Sequence, residues 1–171
     1  DERIKLEEYA TAYKAYLNAA RTEREAVNEA IAQAEALGFV PYERGMVLEP
    51  GTKIYKSVRG KALMLAVMGR ETLDHGANIA AAHVDSPRLD LKPIPLYEKD
   101  EICLFKTHYY GGIKKYQWVA IPLELHGVVT KKDGETVEVV IGKDPDDPKF
   151  TITDLLPHLA KDQMAKHGSD I

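Results

Sequence analysis

The sequence is poor in several things, and each shortage excludes something. It holds one cysteine, Cys103, so no internal disulfide can form. A lone strand cysteine is simplest as a small hydrophobe in a reducing compartment, and the expectation is a cytoplasmic protein. No apolar run approaches the roughly 18 residues of a membrane span, and no signal-peptide pattern appears. There is no dense basic stripe, and the formal net charge is -4, so nucleic acid is not expected as the main partner. Repeats and low-complexity tracts are missing. So are C-x-x-C, H-E-x-x-H, G-x-S-x-G, the P-loop and G-x-G-x-x-G. What remains is 171 residues of ordinary globular composition, 44% hydrophobic and 29% charged.

Residues 3–20 carry Leu6, Tyr9, Tyr13, Tyr16 and Leu17 at helical spacing, a stripe that reads as core or subunit packing. Thr22-Glu23-Arg24-Glu25 is a capping box opening a second helix to about Leu37, with Ala26, Ala30, Ile31 and Ala34 as its packing stripe. Gly38 is the expected left-handed stop. Residues 53–58 and 61–68 read as a hairpin turned at Arg59-Gly60, and the second strand is apolar on both faces, as a buried strand would be. Asn78 then opens the apolar run Ile79-Ala80-Ala81-Ala82, followed by His83-Val84-Asp85-Ser86-Pro87. This reads as a buried central strand stopped by proline, with His83 and Asp85 on one face at its C-terminal lip. Beyond Leu91 the texture turns to antiparallel β. Pro93 and Pro95 break one strand, 102–106 is another, and 107–118 is an aromatic loop. Residues 122–130 and 135–141 form a hairpin around Lys131-Lys132-Asp133-Gly134. A last helix is expected from Asp154 or just after Pro157 to about Lys166. The fold class is therefore α/β, with residues 1–91 as one part and 92–171 as a β-rich second part.

Of the six histidines, His75, His126 and His167 carry no context beyond a structural one, and His108 sits among packing aromatics. His83 differs. A metal-bound imidazole gives its other N–H to a carboxylate, and Asp85 is spaced for that task. The bland alternative is a His–Asp pair capping a strand end. Ser86 lacks the elbow a nucleophile needs. Gly111-Gly112 with Lys114-Lys115 could hold phosphate, but no helix pattern follows, which favours a plain loop.

Taken together, the motifs are more specific. Ala82-His83-Val84-Asp85-Ser86-Pro87 with Leu91-Lys92-Pro93 closely resembles the aspartyl aminopeptidase family of metallo-aminopeptidases, in a form like its bacterial members. Lys106-Thr107-His108-Tyr109-Tyr110-Gly111-Gly112-Ile113 and Asp154-Leu155-Leu156-Pro157-His158-Leu159-Ala160 fit the same family in the same order. The resemblance implies a zinc-exopeptidase-type α/β sandwich with an inserted β-rich dimerisation domain. It implies two divalent metal ions, zinc or else cobalt or manganese. It makes His83 a metal ligand and Asp85 the catalytic-site carboxylate that orients it. His158 is a further candidate metal ligand, with substrate contact and a helix-start role as the alternatives. Some relatives carry a second histidine four residues on, where this chain has Asp162.

The implied activity is removal of N-terminal residues, acidic ones in the best-known relatives, from a peptide substrate by metal-activated water. Assembly would be into dimers and then a dodecamer. The family's other ligands and its general base fall beyond residue 171, and the chain opens on Asp1 rather than Met. The expectation is therefore an N-terminal part that needs the remainder of the catalytic domain and is inactive alone. The rival expectation is a non-catalytic oligomerisation or peptide-binding module of the same fold.

Overall fold

The computed structural model describes residues 2–170; Asp1 and Ile171 lie outside the described residues. It divides into two compact units, Asp1–Ser86 and Pro87–Ile171. The break precedes the strand in which Leu91 lies.

The first unit opens with α1 (Glu2–Ala19) and α2 (Glu23–Ala36). α2 begins where the capping box places it. The Thr22 hydroxyl accepts from the Glu25 amide, and the Glu25 carboxylate accepts from the Thr22 amide at 2.9 Å. It ends in a Schellman motif. Gly38, at φ 85°, donates to Glu35, while Phe39 donates back to Ala34. Ala26, Val27 and Ala34 are buried on its inner face, and Val27 is only 1% exposed. α1 is different. Tyr9 and Tyr13 stack on each other, yet both are exposed, as are Leu6 and Leu17; of the expected packing stripe, Tyr16 is half-buried.

Three strands follow: β1 (Val40–Pro41), β2 (Lys53–Val58) and β3 (Ala62–Val67), in sheet order β1-β2-β3. β2 and β3 pair antiparallel from Lys53↔Val67 to Val58↔Ala62. Arg59 and Gly60 both take positive φ in the turn. α2 is tied to this hairpin at both ends. Arg24 donates to the Arg59 carbonyl, and the Tyr55 hydroxyl donates to the Glu35 carboxylate at 2.6 Å, which raises the Tyr55 pKa above the usual phenol value. β3 is not buried, contrary to its apolar sequence. Met64 is 70% and Val67 58% exposed, because β3 is a sheet edge and nothing covers its outer side among the described residues.

The second unit is two antiparallel hairpins. β4 (Arg88–Lys99) pairs with β5 (Ile102–Tyr110), and β6 (Leu125–Thr130) with β7 (Thr136–Ile141). Pro93 and Pro95 do not end β4. They fall in a bulge between Leu91 and Leu96, where Ile94 has φ 55°. Proline removes a ladder donor, which a strand with one free edge tolerates. β5 also outruns its predicted end, taking in Thr107 to Tyr110 from the expected aromatic loop. Phe105 of β5 packs on Phe150. The last helix is short: α3 spans Lys161–Met164 only. Pro157–Leu159 form a turn, so the helix opens neither at Asp154 nor just after Pro157.

The candidate metal-ligand segment

Residues 76–87 form neither helix nor strand, and Ile79 is 87% exposed. This corrects the expected buried strand. A strand needs a ladder partner for its amides and carbonyls, and none of the described residues pairs with 79–83. An apolar run supplies the desire for burial but not the partner.

The His83–Asp85 pair forms nonetheless. Nδ1 of His83 lies 3.0 Å from Oδ1 of Asp85 and 3.0 Å from the Asp85 main-chain carbonyl. Both neighbours are acceptors only, so Nδ1 carries the proton and donates. In the neutral ring the lone pair is then on Nε2. The side chains are 83% and 40% exposed, so the pair adds little to stability, and its effect is orientational. An imidazole held by one nitrogen with the other presented as a lone pair is the arrangement a divalent metal ligand requires.

His158 is exposed in the turn before α3, in the second unit, whereas His83 and Asp85 are in the first. Three of the other histidines are engaged locally. His126 bonds Glu124 at 2.8 Å, His108 bonds the Tyr109 carbonyl at 2.9 Å, and His75 bonds Glu71 at 3.1 Å. Among the described residues no group of three His, Cys, Asp or Glu converges on one metal position. His83 therefore fits as one ligand, and the described residues do not make up the tetrahedral or dinuclear set such a site needs. Nζ of Lys115 lies 5.0 Å from the centre of the Tyr109 ring.

One cluster was not singled out in the sequence. Nε of Arg88 donates to Asp90 at 2.8 Å, and its guanidinium lies 4.2 Å over the ring of Tyr110, its cross-strand partner. The i, i+2 spacing of Arg88 and Asp90 signals a shared face. The Tyr110 contact depends on a register that sequence alone does not supply.

The model of the family described as "Aminopeptidase I zinc metalloprotease (M18)" matches residues 16–171. The chain belongs to the M18 aminopeptidase family. It is 47% identical over 163 residues to a probable M18 family aminopeptidase 1 of Clostridium acetobutylicum, covering 93% of this chain and 35% of that protein. The crystal structure of an M18 aminopeptidase from Thermotoga maritima matches at a TM-score of 0.86 and 48% identity, over 92% of this chain and 35% of the other. Aminopeptidase I from Borrelia burgdorferi matches at 0.85 and 42%, over 91% and 39%. The chain thus spans about a third of the length of these M18 relatives. The shared fold is mixed α/β, and the M18 family is a zinc metalloprotease family. Among the described residues no helix is long and apolar enough to cross a membrane.

Proposed function

We propose that this chain forms part of a metal-dependent aminopeptidase that removes N-terminal residues, acidic ones included, from peptides. The observation that carries the reading is the His83–Asp85 geometry within a chain that matches the M18 family almost end to end. In this reading Nε2 of His83 binds one of two divalent ions, zinc by the family's description, with cobalt and manganese suited to the same ligands. When bound, such ions polarise the scissile carbonyl and supply hydroxide at neutral pH. Asp85 accepts from Nδ1 of the neutral His83 ring, which selects the tautomer with its lone pair on Nε2 and fixes where that nitrogen points. His158 is proposed as a further ligand or substrate contact.

The first unit would belong to an exopeptidase-type α/β sandwich, and the second to an inserted dimerisation domain. The remainder of the catalytic domain would complete the ligand set. Dimers assembling to a dodecamer, in the cytoplasm, are the proposed context. The relatives named above are described as aminopeptidases, which favours the enzyme over a non-catalytic module.

The test is zinc content and aminopeptidase turnover of the isolated 171-residue chain beside the full-length protein. The isolated chain is expected to show neither stoichiometric zinc nor turnover, and the full-length protein both. Full activity of the isolated chain would overturn the reading of an incomplete site.

A further inference from the structure

We infer that Asp154 and Gln163 are positioning residues for His158, which they hold by closing the loop that carries it. The inference rests on reading His158 as a metal ligand or substrate contact. All the residues involved lie in the second unit. Residues 153–156 form neither helix nor strand, so their course depends on what ties them at each end. Upstream, the Ala120 amide donates to the Ile152 carbonyl at 2.8 Å. Downstream, Ala160 is buried, and its carbonyl accepts from the Met164 amide at 2.8 Å. Between these anchors Oδ1 of Asp154 accepts twice, from the Leu155 amide at 2.8 Å and from Nε2 of Gln163 at 3.0 Å. The second bond ties the start of the loop to α3. A carboxylate only accepts, so the Gln163 amide must turn its nitrogen to Asp154. Its Oε1 is buried without a hydrogen-bond partner among the described residues, which leaves Asp154 as the polar anchor of this side chain. Inside the closed loop His158 is central to two overlapping turns. The Leu159 amide donates to the Leu156 carbonyl at 2.8 Å, and the Ala160 amide to the Pro157 carbonyl at 3.3 Å. The His158 side chain is exposed, so the backbone of these turns sets where its imidazole stands. Opening the Asp154–Gln163 bond frees residues 153–156 from α3 and lets both turns shift.

The experiment is a double-mutant cycle on the full-length protein, with His158→Ala, Gln163→Leu and the two combined. Zinc affinity is measured by chelator competition, and kcat/KM at saturating zinc with the p-nitroanilide of an acidic amino acid. The quantity that His158→Ala lowers is the one compared. Gln163→Leu is expected to lower that same quantity roughly tenfold, the scale at which residues orienting a functional group act. With His158 already replaced, the further change is expected to stay within about twofold, because the two substitutions then remove one and the same contribution. Gln163→Glu sets a like charge against Asp154 and is expected to match Gln163→Leu. Asp154→Asn keeps an acceptor oxygen and is expected to recover most of what Asp154→Ala loses. Equal losses from Gln163→Leu with and without His158 would show that the bond acts elsewhere and overturn the inference. Wild-type behaviour of Gln163→Leu beside an impaired His158→Ala would also overturn it, while the reading of His158 stands. Wild-type behaviour of His158→Ala in both measurements would refute that reading, and the inference with it.

Discussion

Asp85 accepts from the His83 imidazole twice over, through Oδ1 and through its own main-chain carbonyl, each 3.0 Å from Nδ1. Two acceptors on one ring nitrogen settle which nitrogen carries the proton and limit rotation of the ring. Asp85→Ala removes one of them. In the full-length protein it is expected to lower zinc affinity roughly 10- to 100-fold. Asp85→Asn retains a side-chain oxygen acceptor and is expected to lose less. Chelator competition reads both, and wild-type affinity in both would show that the Asp85 carboxylate does not orient the ligand.

The α2 capping box makes a separate claim about stability. Thr22 and Glu25 satisfy each other's exposed amides. Thr22→Ala is expected to cost about 1 kcal/mol in urea unfolding of the full-length protein. Thr22→Ser retains the acceptor and is expected to stay close to wild type.

Val27 is the most deeply buried large side chain among the described residues, at 1% exposure. Val27→Ala deletes two buried methyl groups and is expected to cost about 2 kcal/mol from lost transfer energy and the cavity left behind. A cost near zero would mean that α2 does not pack as described.

The loop after β7 adds an acid-sensitive element. The Asp147 carboxylate accepts from the Gly142 amide at 2.9 Å and the Asp144 amide at 3.2 Å. Backbone hydrogen bonds from Asp144 and Gly142 hold its pKa below the ordinary carboxylate value. A depressed folded pKa contributes stability that is present above the unfolded value and lost as pH falls through the folded one. Asp147→Asn is therefore expected to lose stability at neutral pH and to show a shallower decline on the acid side of the carboxylate range. Parallel acid profiles for variant and wild type would contradict this.

Legibility from sequence followed the range of the interaction. The capping box at Thr22, the Gly38 stop and the two hairpin turns were readable because each depends on residues within a few positions of one another. Burial was readable on α2, where Ala26 and Ala34 of the expected stripe are buried, but not on the strand-like segments. β3 and the run before His83 have the composition of interior strands, yet Met64 and Ile79 are largely exposed, because interior status needs a neighbour that composition does not name. The bulge at Ile94 was hidden because two prolines look like a stop until the strand is known to have a free edge. At the site, the i, i+2 pair His83–Asp85 was readable, but the strand imagined to carry it was not needed for the contact to form. The Arg88–Tyr110 contact required the register of a whole hairpin.

The central claim is that His83 ligates a catalytic metal through Nε2. The most direct measurement is zinc stoichiometry of the full-length protein and its His83→Ala variant, by elemental analysis after exhaustive dialysis, with circular dichroism confirming that both are folded. The account predicts that the folded variant retains less zinc per chain than the wild type and loses aminopeptidase turnover. A folded His83→Ala protein with wild-type zinc content and turnover would contradict it.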